Sequence, residues 1–388
     1  MSSTPADTAT DTSVWAGLVG QPSVVDRLRA AVAGQGMTHA WLFTGPPGSG
    51  RSNAAMAFAA ALLCERGGCG ECLTCRTALA GSHSDVSVTR SETSVLYIDD
   101  MRNLVRRSGL SPAGGRWQIM VIEDADRLGD RTGNTLLKAI EEPTPRTVWL
   151  LCAPTPDDVL PTIRSRCRNI TLTTPTVAAV TAFLVQRNGV PEGIASFAAR
   201  ASQGHIGRAR ALALDEGARN RRREVVSIPT KLTSLGACMN AAANLVDISK
   251  DETAVITEES NGREVTELNA VYGEDRKARS SRAYKAAVKD LTYNLKQREK
   301  RRVLDVVDRC LMDLVSVYRD AIALQTGAPG ALVNEEIRDK VVQLARTSTP
   351  EQNLRRIDAI FVAREQMLDF TVPPLLALEA MMVALRVG

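Results

Sequence analysis

Between residues 15 and 174, short unbroken apolar runs alternate with stretches that read as helix, a pattern that predicts a parallel sheet flanked by helices. Residues 40–43 form a compact apolar run ending in a glycine-rich turn. A helix follows over 52–64 (SNAAMAFAAALLC), made mostly of Ala, Met, Phe and Leu. Residues 85–89, 118–122, 148–152 and 169–172 predict four further strands, and a helix over 133–142 is stopped by Pro143.

Beyond Pro175 the strand pattern disappears. Two or three short helices rich in Ala and Arg run to about residue 223, as a small second domain. From about 227 to the end there is helical periodicity only. It is clearest in Val303, Leu304, Val307, Cys310, Leu311, Leu314 and Tyr318, which share one face at spacings of three, four and seven. The expected fold class is α/β plus all-α: a parallel-sheet base over 14–175, a helical segment over 176–225 and an all-helical domain over 226–388. A polar tail, 1–13, is expected to be disordered.

Composition narrows this only a little. The chain has 388 residues, enough for two or three domains, and 48 Lys plus Arg against 44 Asp plus Glu leave a net charge of +4. So small an excess does not announce a nucleic-acid binder, and any such role must come from local patches. One candidate is the block 276–302, with eleven Lys or Arg against Asp290 and Glu299, within a charged insertion over about 247–302. Such a block is either a solvated helix face or a phosphate-contacting patch. No secretory pattern opens the chain, and no run approaches eighteen apolar residues. A reducing, cytoplasmic setting is the expectation.

Residues 45–52, GPPGSGRS, fit the phosphate-loop template at every fixed position but one, because Arg51 stands where lysine belongs. Gly45, Gly48 and Gly50 let backbone N–H groups turn inward around phosphate oxygens at a helix N-terminus, with Ser52 in the metal-binding place. A planar guanidinium cannot simply replace a compact ammonium between two phosphates, which weighs against hydrolysis. The strand over 119–122 ends in Glu123 and Asp124, the reverse of the Asp-then-Glu order that holds magnesium and polarises water in ATPases. Both carboxylates remain. Surface acids that cap the next segment are the alternative reading.

Four of the eight cysteines, Cys64, Cys69, Cys72 and Cys75, lie close together with Gly67, Gly68 and Gly70 between them. Four thiolates brought together by tight turns suit a closed, structural zinc site. An iron–sulfur cluster takes the same ligands, and unliganded thiols are the third possibility. His39, His83 and His205 have no Ser, Cys or acid at a spacing that suggests catalysis.

The strings GPPGSGRS, VIEDADRL, NTLLKAIEEP and IRSRC, in this order, resemble the clamp-loader branch of the AAA+ ATPases, over about residues 15–225. That resemblance implies an AAA+ base, a helical lid and a helical collar that joins subunits in a ring. It points to the ring member without ATPase activity of its own, which binds ATP weakly or not at all. It also implies that Ser165, Arg166 and Cys167 form an SRC motif whose Arg166 reaches the ATP of the next subunit, and that Arg208, in GHIGRARAL, stands for a second sensor arginine. Where the motor subunits carry a polar sensor, this chain has Ala153 and Pro154. The implied partners are gamma/tau and delta subunits, the beta sliding clamp and the backbone of primed DNA. The rivals are an ATP-hydrolysing motor subunit of gamma/tau type and an AAA+-derived scaffold of another nucleoprotein machine.

Overall fold

A computed structural model of the chain describes residues 12–90, 96–114, 116–272, 282–370 and 372–388, and residues 1–11 of the expected tail lie outside them. The chain divides into two compact units, Met1–Leu214 and Asp215–Gly388.

In the first unit the strands are β1 (Ala40–Thr44), β2 (Val86–Thr89), β3 (Gln118–Ile122), β4 (Thr147–Ala153) and β5 (Arg168–Thr171). They pair in parallel in the order β2-β3-β4-β1-β5, with Leu42 opposite Leu151 and Asn169. Every residue of β1, β3 and β4 is buried. Parallel sheets are covered on both faces, so their strands read as continuous apolar runs, which is what made them legible. Alternation along each strand still divides the side chains. Trp41, Phe43, Ile119, Val121, Val148 and Leu150 enter one core, and Ala40, Leu42, Met120, Ile122, Trp149 and Leu151 the other.

Helices α1 (Pro22–Val32) and α2 (Arg51–Leu63) cover the first face. Residues 54–63 of α2 are all buried, in keeping with a helix that is apolar on every side. Phe58 meets the Trp41 ring edge-on at 5.0 Å between centroids. After α3 (Leu73–Leu79), α4 (Ile98–Ser108) and α5 (Asp130–Glu141) cover the second face. Gly133, expected to begin α5, lies inside it. A Cβ there would sit 2.3 Å from Leu160 Cδ1, so the helix gains a close approach to the segment bearing α6 (Pro161–Arg164). Helices α7 (Val177–Asn188), α8 (Glu192–Ala201) and α9 (Ile206–Leu214) complete the unit.

The second unit is helical: α10 (Glu216–Val226), α11 (Leu235–Tyr272), α12 (Arg282–Thr326), α13 (Arg338–Thr347), α14 (Pro350–Leu368) and α15 (Pro374–Val387). The sequence reading placed residues 216–225 at the end of the second domain; they fall in this unit as α10. The expected face of α12 is in the core, with Val307, Leu311, Leu314 and Tyr318 fully buried. The charged insertion runs along α11 and α12, and its residues 273–281 lie outside the described residues.

One buried polar network ties α10 to α12. The Arg222 side chain is 3% exposed; its Nε donates to Asp313 Oδ1 at 3.1 Å and its Nη2 to Asn334 Oδ1 at 2.6 Å, and Glu336 pairs with Nη1. Asn334 Nδ2 donates in turn to Asp320 Oδ2 at 2.8 Å and to Ser316 Oγ at 2.9 Å. Removing one partner of such a pair leaves an uncompensated charge in the interior. Arg222→Ala is therefore expected to destabilise the helical unit by about 3 kcal/mol or more, read as a lowered denaturation midpoint.

Candidate functional site

Because β1 lies between β4 and β5, the loop that leaves its C-terminal end stands beside the ends of β4 and, one strand on, β3. This is where an open parallel sheet collects its ligand-binding loops. Gly48 and Gly50 adopt φ of 82° and 95°, a region open to glycine, and Gly50 caps α2. The loop glycines thus hold backbone that other residues rarely adopt.

Its interior is spoken for. Arg51 Nη1 donates to the Gly45 carbonyl at 2.7 Å, so the guanidinium is bound back onto the first residue of its own loop. The Gly45 N–H donates to the Pro154 carbonyl at 3.0 Å, just past Ala153 at the end of β4. From the other side α9 closes on the loop. The Ile206 N–H donates to the Gly48 carbonyl at 3.3 Å, and a Cβ on Gly48 would lie 2.3 Å from His205 Cγ. His205 Nδ1 accepts the Arg208 N–H at 3.2 Å, so the histidine caps α9 while its ring packs on Gly48. Arg208 itself is half-buried on α9.

The two acids after β3 are separated in role. Glu123 Oε2 pairs with Arg90 Nε at 2.9 Å, and its Oε1 is buried without a hydrogen-bond partner. Asp124 caps the short turn Ala125–Arg127, its carbonyl accepting the Arg127 N–H at 3.0 Å. A guanidinium thus stands as counter-ion where a divalent cation would be needed. Ser52 and Glu123 share, with Asn53 and Arg90, a cavity of about 220 Å³. Ligand pockets run from roughly 300 to 1,000 Å³, so this is small for one.

Arg166 follows α6 and is in the open, its side chain 38% exposed. Its Nη2 pairs with Glu141 Oε1 at 2.5 Å, and its Nη1 donates to the Thr162 carbonyl at 2.7 Å and to Ser165 Oγ at 3.1 Å. Cys167 is half-buried, and burial pushes its thiol up to about 12, which keeps it protonated and inert.

The four cysteines converge. Cys64 ends α2, Cys72 caps α3 and Cys75 lies within α3, while Gly67, Gly68 and Gly70 turn the chain with φ between 66° and 103°. All four Sγ atoms lie within 4.8 Å of one another, with Cys64 to Cys69 and Cys64 to Cys72 at 3.8 Å and Cys69 to Cys75 at 4.0 Å. Ligands about 2.3 Å from a tetrahedral centre stand roughly 3.8 Å apart, so the thiolates fit one ion. An iron–sulfur core would hold them further apart. Burial raises the Cys64 thiol, but the N–H groups of Cys69, Gly68 and Arg66 outweigh it and bring it down to about 6. Cys75 is driven up, chiefly by burial.

Sequence reasoning found the loop, the acids, the SRC string and the cysteines. It missed Arg90 and Glu141, whose partners are distant in the chain and follow no spacing rule, and it gave no role to His205, which packs on Gly48.

The strand order β2-β3-β4-β1-β5, with a glycine-rich loop leading from β1 into α2, is that of a parallel α/β P-loop domain. Residues 20–176 match the family model described as DNA polymerase III, delta subunit. The DNA polymerase III subunit delta' of Pseudomonas aeruginosa is 38% identical over 135 residues, 33% of this chain and 41% of that protein. The gamma/tau subunit of Mycobacterium bovis is 30% identical over 184 residues, 45% of this chain and 32% of that protein. The chain thus spans less than half the length of these relatives. Among solved structures, the Holliday junction branch migration motor RuvB of Thermotoga maritima aligns at a TM-score of 0.37 and 19% identity, over 54% of this chain and 64% of that one. Over less than half its length the chain is thus similar to delta, delta' and gamma/tau subunits of DNA polymerase III. Among the described residues no helix is long and apolar enough to cross a membrane.

Purified chain is expected to carry one metal ion per molecule, identified as zinc by elemental analysis, and Cys72→Ser to lose it. Thiolates are the ligands, so metal binding displaces the Cys75 proton, and affinity should fall as pH falls, most steeply below about pH 6 where Cys64 is also protonated. Metal-free protein with four titratable thiols would refute the site.

Proposed function

We propose that the chain is a delta-prime-type subunit of the DNA polymerase III clamp loader, one that hydrolyses no ATP itself and lends Arg166 to the ATP site of a neighbouring subunit. The observation that carries this reading is the Arg51 hydrogen bond to the Gly45 carbonyl, which fills the phosphate loop from within. The Arg90–Glu123 pair and the non-polar Ala153 and Pro154 support it, because each removes a group that turnover requires. Exposed Arg166 supports the second half. A permanently charged fork brought to a neighbour's γ phosphate neutralises charge that develops on transfer, an effect worth on the order of 10³ to 10⁵ in rate.

In this role the base domain, a lid over about 176–214 and a helical collar over about 215–388 would hold gamma/tau and delta subunits in a ring, open the beta sliding clamp and place it on primed DNA. Contact with DNA would be to backbone phosphates, hence salt-dependent and without sequence preference. Zinc in the four-cysteine site would be structural, since all four positions are filled by protein. The rival is a motor subunit of gamma/tau type, favoured by the intact glycine frame of the loop and by the longer gamma/tau match.

Two measurements separate these. Isolated chain is expected to show no ATP turnover and no micromolar ATP binding, where the rival requires both. In the complex reconstituted with gamma/tau, delta, clamp and primed DNA, Arg166→Ala is expected to lower the ATPase at least tenfold with assembly intact. Full activity in that variant would remove the assignment.

A further inference from the structure

The pair between Arg166 and Glu141 has no stabilising purpose. Both side chains are open to solvent, 38% and 42% exposed, and an ion pair so exposed contributes little to folding. What it does is fix a direction. Arginine has a long side chain that loses considerable rotamer freedom when held, and here both terminal nitrogens are held by the same subunit. Nη2 is on Glu141 Oε1 at 2.5 Å, while Nη1 is on the Thr162 carbonyl and Ser165 Oγ.

The holder is itself fixed. Glu141 is the last residue of α5, and Gly133, two turns earlier on that helix, is pressed so closely on the α6 segment that a methyl group there would meet Leu160 Cδ1 at 2.3 Å and Ile163 Cδ1 at 3.4 Å. Leu136 and Ile140 of α5 and Ile163 of α6 are fully buried in the same core. Helix α5 thus meets the SRC segment twice, once through packing and once through charge. Other cations near this end of α5 point elsewhere: Arg164 pairs with Asp157, and Arg168 donates to the Gly36 carbonyl.

We infer that Glu141 is the positioning residue for Arg166, holding the guanidinium in one pose before a neighbour's triphosphate arrives. This rests on the reading of Arg166 as a residue that acts in trans. The guanidinium has five N–H bonds; Glu141, the Thr162 carbonyl and Ser165 Oγ take three, which leaves one on Nη2 and the Nε–H for phosphate oxygens. Ordering the fork in advance means that its rotamer entropy is not lost at the transition state, where misplacement lowers the rate rather than the affinity for ATP.

The test is steady-state ATPase of the fully reconstituted, DNA-stimulated complex. Glu141→Ala is expected to lower kcat on the order of tenfold with the KM for ATP unchanged, less than the loss caused by Arg166→Ala. Glu141→Gln keeps the acceptor oxygen and should recover part of kcat. Adding Glu141→Ala to Arg166→Ala should cost nothing further, because the residue acts only through the arginine. Normal or raised kcat in Glu141→Ala, beside a strongly impaired Arg166→Ala, overturns the inference and leaves the role of Arg166 standing; a raised kcat would mark the pair as a latch. If Arg166→Ala is itself fully active, the underlying reading fails instead. A rise in KM alone, or failure of both Glu141 variants to assemble, would make Glu141 a structural residue and also refute the proposal.

Discussion

Parallel pairing of β1 between β4 and β5 is the constraint on which the rest depends. Buried parallel strands must be apolar on both faces and must start and stop nearly in step, so their C-terminal ends form one rim. The phosphate loop leaves that rim from β1, Ala153 and Pro154 from β4, and Glu123 from β3. None of these groups could meet if the register slipped by one residue, since the Trp41 and Leu42 sides of the sheet would exchange cores.

Within this frame Arg51 and Glu123 Oε2 find partners inside the protein, while Glu123 Oε1 and Ser49 Oγ are buried without a hydrogen bond. Arg51 and Arg90 supply the positive charge that a bound nucleotide–metal pair would otherwise meet or bring, and each has a protein oxygen as partner. Arg166 presents the opposite arrangement: its partners hold it without burying it, which leaves its charge directed outward.

Strands were legible because burial on both faces makes them apolar without interruption, and α2 for the same reason. Helix α4 (IDDMRNLVRRS) went unread although Ile98, Met101, Leu104 and Val105 recur at helical spacing, because the stretch is short and mostly polar. Residue Gly133 misled the start of α5, because glycine reads as a boundary when only the sequence is known and as a close contact once Leu160 is seen. Motifs with fixed local spacing, the loop and the four cysteines, could be read directly. By contrast, the pairs Arg90–Glu123 and Glu141–Arg166 depend on where α5, α6 and β3 come to lie, which no local pattern encodes.

Helix α2 begins at the phosphate loop and ends at Cys64. Its 13 residues make a rod about 20 Å long, clamped by tertiary packing along nearly its whole length. The four thiols and the glycine turn are thus fixed at opposite ends of one buried helix, with the His205 imidazole resting on Gly48 at the loop end.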